Sequence, residues 1–122
     1  MANEVAVQVS LQVTNGNMSF LKRDNYTADQ SAAGGPSNGV QEIGTSHELV
    51  GITDITNKGF TYFGNLDTTN YVEIGVDVSA TFYPIAKLSP GESAIMRLSP
   101  SVAVYAQANT AAVRLETYCF EA

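Results

Sequence analysis

The sequence predicts an all-β protein, and three observations lead to this prediction. Apolar and polar residues alternate with a period of two in several short segments, the pattern of strands that bury one face. Turn residues recur about every 8–12 positions, as in a sandwich or barrel. No long segment has the period of an amphipathic helix. We therefore expect one antiparallel β-sandwich domain over residues 1–122, with a jelly-roll-like topology or, as the alternative, an immunoglobulin-like one.

The N-terminal segment has the clearest strand pattern. Valine and leucine alternate with polar residues over positions 5–13, and Asn15-Gly16, a favoured dipeptide of tight hairpin turns, follows. Residues 17–23 are expected to return as the partner strand, so that the two strands form a hairpin. Residues 31–39 are small and rich in glycine, and we expect a surface loop there.

The middle of the chain is less regular. Residues 40–43 and 48–52 are short strand candidates, and residues 45–48 (Thr-Ser-His-Glu) also fit a capping box that opens a helix of one or two turns. Pro84 indicates an edge strand or a bulge, and residues 88–92 (Leu-Ser-Pro-Gly-Glu) predict a turn. Further strands are predicted at 59–66, 71–77, 81–88, 93–98, 102–108 and 111–120.

Charge and composition exclude several classes of function. The net charge is −6 and the six basic residues form no stripe, so we expect no binding to nucleic acid or to an anionic membrane. No apolar run approaches the roughly 20 residues of a membrane-spanning helix, and the first residues do not resemble a secretion signal. Cys119 is the only cysteine and shares the parity of Val113 and Leu115, so we expect it in the core rather than in a disulfide or a reactive site.

The sequence contains no recognisable set of catalytic residues. His47 is the only histidine, no Gly-x-Ser-x-Gly pattern occurs, and no phosphate-binding glycine loop is present. We therefore expect no enzyme, no catalytic residues and no cofactor, with His47 as a solvated loop or strand residue. Oxygen-bearing side chains near turns are the only candidates for a calcium site, but Asx residues in turns usually bind their own backbone, so we expect no metal. The candidate side chains are those of Asp54, Asn57, Asn65, Asp67 and Asn70.

Adjacent aromatic residues are the strongest candidates for a contact surface. Neighbours in a strand point to opposite faces, so one member of the pair Tyr62 and Phe63, and one of Phe82 and Tyr83, is expected to point away from the core. Such a side chain can bind a protein or a sugar, or it can pair with other rings on an ordinary sheet face.

The second half of the chain resembles small bacteriophage virion proteins. The resemblance is carried by residues 59–67 (Gly-Phe-Thr-Tyr-Phe-Gly-Asn-Leu-Asp), 70–75 (Asn-Tyr-Val-Glu-Ile-Gly) and 82–92 (Phe-Tyr-Pro-Ile-Ala-Lys-Leu-Ser-Pro-Gly-Glu). Residues 2–5 and 118–122 add to it. These segments cover less than a third of the chain and contain strand and turn patterns rather than catalytic signatures.

The resemblance implies a structural virion protein, made in the host cytoplasm and carried in the particle. A capsid decoration or cement protein is the first expectation, with a small tail or head–tail component as the alternative. The expected partners are the major capsid protein or other virion proteins, together with further copies of the chain in a dimer or trimer. From the residues alone, a carbohydrate-binding or adhesion module is a further alternative, because tyrosines and Asn- and Asp-rich loops suit sugars.

Overall fold

The computed structural model describes residues 2–122 as two compact units, residues 2–32 and 33–122. The all-β prediction is confirmed, and within residues 2–122 no helix is long and apolar enough to cross a membrane. The strands are β1 (Val5–Asn15), β2 (Met18–Ala28), β3 (Ser37–Ile43), β4 (Glu48–Leu49), β5 (Lys58–Asn65), β6 (Val72–Val78), β7 (Thr81–Leu88), β8 (Ser93–Arg97), β9 (Tyr105–Ala108) and β10 (Val113–Glu121).

The first unit is the predicted hairpin, and it is longer than the sequence indicated. β1 and β2 pair antiparallel in a two-stranded sheet of their own, and β2 continues to Ala28, past the predicted end at residue 23. The turn also lies one residue later than expected. Asn15 pairs with Met18, so Gly16 and Asn17 form the loop. Gly16 has a φ of 56°, as the first loop residue of a type II′ turn requires.

The second unit is an antiparallel β-sandwich, as predicted. One sheet has the strand order β3-β10-β5-β8 and the other β4-β9-β6-β7. Both contribute to one apolar core, in which each fully buried large side chain stabilises the fold by about 1.5–3 kcal/mol. The core consists of Ile43, Val50, Phe63, Val72, Ile74, Leu88, Val104, Ala106, Ala108, Val113 and Leu115.

Two finer expectations stay predictions. The choice between jelly-roll-like and immunoglobulin-like topology is one of them. The other is a single domain over residues 1–122, of which Met1 lies outside the described residues. The sandwich itself takes all its strands from residues 37–121.

The prediction for Pro84 is confirmed in both parts. β7 is an edge strand, and its pairing with β6 shifts where Ile74 pairs with Ala86 but the next residue, Gly75, pairs with Pro84. Ile85 is therefore the extra residue of a bulge. A side chain at position 75 would overlap the carbonyl oxygen of the residue before Pro84, so the bulge requires glycine there.

Two local predictions are wrong. No helix begins at residues 45–48, because Glu48 lies in β4 and its carboxylate accepts a hydrogen bond from the Gly44 backbone N at 2.9 Å. The Glu48 carboxylate therefore stabilises a turn before β4 and not the first turn of a helix. The predicted loop 31–39 is shorter than expected, because β10 extends far enough to pair with Ser37 and Gly39.

Candidate interaction surfaces

Alternation along β5 and β10 produces an aromatic surface on the outside of one sheet. Thr61 and Phe63 point into the sandwich and are buried, so Tyr62, between them, points outward. Tyr62 pairs with Tyr118 on β10 and with Ile95 on β8. We call the resulting surface the outer aromatic face. It consists of Phe60, Tyr62, Ile95, Arg97 and Tyr118.

The two tyrosines of this face are held in place by their neighbours. The rings of Tyr62 and Tyr118 stack, with 6.0 Å between centroids and 26° between planes. The Tyr118 hydroxyl donates a hydrogen bond to Glu116 Oε2 at 2.8 Å. This bond, together with burial and the negative charge of Glu116, raises the pKa of Tyr118 above its ordinary value. A Cβ at Gly64 would lie 3.1 Å from Tyr62 Cε1, so the glycine leaves room for the ring.

The other side chains extend the face towards the β8 edge. Arg97 pairs with Phe60, and its guanidinium carbon lies 4.4 Å from the centre of the Phe60 ring, a cation–π contact. Ile95 is 46% exposed. Tyr, Phe and Arg are the residue types enriched where proteins bind one another, so this composition is typical of a contact surface.

The hairpin carries a second apolar surface. Directly paired residues lie on one face of a two-stranded sheet, and the register places the odd residues of β1 with the even residues of β2. Leu11 and Phe20 are more than half exposed, and Val9 is 41% exposed. We call the hairpin of β1 and β2 the arm, and this surface the apolar arm face. It consists of Val5, Val7, Val9, Leu11, Val13, Asn15, Met18, Phe20, Lys22, Asp24, Tyr26 and Ala28.

The reverse face of the hairpin is mostly polar. It presents Gln8, Ser10, Gln12 and Asn25, with Leu21 as an exposed apolar residue. A contiguous exposed apolar surface usually marks a binding site. The arm is therefore amphipathic, with one face suited to contact and one to solvent.

His47 does not behave as a solvated residue, which corrects the sequence interpretation. Its Nε2 lies 2.6 Å from Asp77 Oδ2, and the side chains are only 25% and 20% exposed. The imidazole stacks on Phe82 at 5.5 Å and lies 5.8 Å from the ring of Tyr105. Asp77 also accepts a hydrogen bond from Ala80 N in the β6–β7 turn. These contacts attach the segment before β4 to β6 and β7, which is a structural role.

In one loop, the side chains considered as calcium ligands form hydrogen bonds with the backbone of the loop itself. Asn65 is buried and donates from Nδ2 to the carbonyl oxygens of Asn70 and Leu88. Asp67 Oδ2 accepts hydrogen bonds from Asn70 N at 2.6 Å and Thr69 N at 2.9 Å. These two bonds are the main reason that the pKa of Asp67 lies below its ordinary value.

Asp54 and Asn57 lie outside that loop, in the segment before β5, where Asn57 N donates to Glu121 Oε1 at 3.2 Å. Among residues 2–122 no three His, Cys, Asp or Glu side chains gather as metal ligands would. Cys119 is completely buried, as predicted for a core residue.

The aromatic predictions are confirmed in part by burial. Of the first pair, Phe63 is buried and Tyr62 points outward. Of the second pair, Tyr83 is 53% exposed, but Phe82 packs against His47 instead of entering the core. Sequence reasoning missed the partners of these rings, because strand parity assigns a face and does not say which strand lies alongside.

No family model matches the chain, and no curated protein and no solved structure shows significant similarity to it.

Proposed function

We propose that this protein is a structural protein of a bacteriophage virion that decorates the capsid by binding the assembled shell of the major capsid protein. The outer aromatic face is the observation that carries the proposal. It presents Tyr62, Tyr118 and Arg97 on paired strands, and side chains that are already ordered lose little freedom on binding.

The composition of the surface supports a protein partner. Only 15% of the residues are charged, against about 25% in ordinary globular proteins. Uncharged polar groups cost less to desolvate than ions, so another protein can cover such a surface with a small penalty. With a net charge of −6, nucleic acid and anionic membranes are not proposed as partners.

The resemblance to phage virion proteins supports the same partner class. Residues 59–67, one of the segments that carry the resemblance, also supply Phe60 and Tyr62 of the outer aromatic face. On this proposal the chain is made in the host cytoplasm and leaves the cell as part of the particle.

The test is binding of the purified chain to shells of its own phage that were assembled without it. We expect the chain to sediment with the shells. Combined Tyr62→Ala and Ile95→Ala substitutions should weaken binding by about tenfold or more, as loss of a buried aromatic contact does. Tyr83→Ala is the matched control, since Tyr83 is exposed on the other sheet. It should bind as the unmodified chain does.

A chain that stays in solution with intact shells would contradict the decoration proposal. If the same chain sediments with purified tails, the tail or head–tail alternative replaces it. Both results use the same preparation, so they distinguish the two positions in the particle.

The stacked rings of Tyr62 and Tyr118 favour carbohydrate binding as a second candidate, because sugars stack on aromatic faces. The Asn- and Asp-rich loop at residues 65–70 does not add to it, since Asn65 and Asp67 bind that loop's own backbone. A glycan array tests this candidate directly. Hits that disappear with Tyr62→Ala would support it, and an array without hits would remove it.

A further inference from the structure

The register of the hairpin sets the two charged side chains of the apolar arm face next to each other at its centre. Six pairs of residues make up this face, from Val5 with Ala28 to Asn15 with Met18. The two middle pairs are Val9 with Asp24 and Leu11 with Lys22. One negative and one positive side chain therefore lie on either side of the midpoint of the arm.

We propose that the arm binds the arm of a second copy of this chain, apolar face against apolar face, around a two-fold axis that crosses the strands at this midpoint. Such an axis reverses the strand direction and keeps β2 over β2 of the second copy. Lys22 then lies over Asp24 of the second copy, and Asp24 lies over its Lys22. The contact is isologous, with each surface complementary to itself.

The same axis also matches the apolar side chains. Phe20 lies over Tyr26 of the second copy, where two rings can pack. Leu11 lies over Val9 of the second copy. Because the axis bisects the six pairs, the exposed central pairs of one face lie over the exposed central pairs of the other.

Other alignments of the two faces lose this match. A two-fold axis parallel to the strands sets Lys22 over Leu11 and Asp24 over Val9. An axis moved by one pair towards the turn sets Lys22 over Phe20 and Asp24 over Met18. Covering a charge with an apolar side chain and no partner is costly, so the charge pattern selects the central axis.

The face is large enough only for a weak dimer. The face is about 34 Å long, from ten residue steps of about 3.4 Å. Two such faces bury at most roughly 1,000 Å² in total, which is near the lower limit of specific interfaces. Val7 is already buried in the single chain, so the more exposed side chains of Leu11, Met18 and Phe20 contribute most of the new apolar burial.

This inference goes beyond capsid binding and concerns a different surface. Dimerisation is measured on the free chain, whereas shell binding is measured with capsids. Dimerisation without shell binding would contradict only the proposed function. Shell binding by a chain that stays monomeric would contradict only this inference.

The first experiment is sedimentation velocity of the full chain across the micromolar range. We expect an equilibrium between monomer and dimer. Phe20→Ala should raise the dimer dissociation constant by about tenfold or more. Leu21→Ala is the matched control, because Leu21 is the next residue, is equally exposed at 51% and lies on the opposite face. It should leave the constant unchanged.

The second experiment tests the alignment itself. K22D places two negative charges at the centre of the face and D24K places two positive ones, so each variant alone should dimerise at least about tenfold more weakly. An equal mixture should form the heterodimer, because opposite charges then face each other at both positions. Circular dichroism of each variant checks that the strands are retained.

Three results would overturn the proposal. The unmodified chain stays monomeric at the highest concentration, Leu21→Ala weakens the dimer as much as Phe20→Ala does, or the folded K22D and D24K variants fail to pair when mixed.

Discussion

Tyr62 and Phe63 are consecutive in β5 and face opposite sides of the sheet. Phe63 has no exposed surface and belongs to the core of the sandwich. Tyr62 stacks on Tyr118 outside the sheet. One pair of neighbours thus contributes a stabilising side chain and a surface side chain, and the two contributions can be measured separately.

The first prediction compares Ala substitutions at these two positions. Phe63→Ala should lower the free energy of unfolding by about 3–5 kcal/mol, because it removes a buried ring and leaves a cavity. Tyr62→Ala should cost only about 1 kcal/mol, the value of a cross-strand aromatic pair. Urea unfolding monitored by circular dichroism measures both. Equal losses would contradict the assignment of the two faces.

The second prediction concerns the bulge in β7. Gly75→Ala should lower the free energy of unfolding by more than about 2 kcal/mol, because the added methyl group overlaps the carbonyl oxygen of Tyr83 and the paired strands must separate. Gly91→Ala is the control. Gly91 has a φ of 79° but open space around it, so only backbone strain of about 1 kcal/mol is expected. A smaller loss for Gly75→Ala than for Gly91→Ala would show that the bulge tolerates a side chain.

The parts of the structure that the sequence predicted well are those in which neighbouring residues favour the same conformation. The turn at residues 88–92 is one case: Glu92 N donates to Ser89 O at 3.0 Å, and Gly91 has the positive φ expected after proline. The turn at residues 65–70 is another, with Asp67 accepting backbone hydrogen bonds as Asx residues in turns do. In both cases the residues that decide the structure are within a few positions of one another.

The contacts that the sequence did not predict depend on distant partners. His47 and Asp77 are thirty residues apart, and nothing local to His47 indicates the carboxylate. Ser37 is in a strand because β10 reaches it, although its neighbours are typical of a loop. The outer aromatic face likewise needs the order of β10, β5 and β8, which alternation within each strand does not specify.

The third prediction concerns the pair of His47 and Asp77. His47→Ala should lower the free energy of unfolding by about 1 kcal/mol, a value reduced because both side chains remain partly exposed. The loss should be larger than that of Glu73→Ala, an outward-facing carboxylate on the same strand as Asp77. Thermal unfolding at neutral pH measures both. No difference between the variants would mean that the pair contributes nothing to stability.

The fourth prediction uses the lowered pKa of Asp67. The folded state favours the carboxylate, because Asn70 N and Thr69 N donate to it. Its contribution to stability is therefore fully present above the ordinary carboxyl pKa of 3.8 and is lost as the pH falls through the lower folded value. Asp67→Asn should thus have a lower Tm than the unmodified chain at neutral pH, and the difference should shrink as the pH falls below the ordinary value.

Asp54→Asn is the control, since Asp54 is an exposed carboxylate outside this loop. A difference between Asp67→Asn and the unmodified chain that stays constant across the acid range would contradict the assignment, because the loop would then gain nothing from the charge.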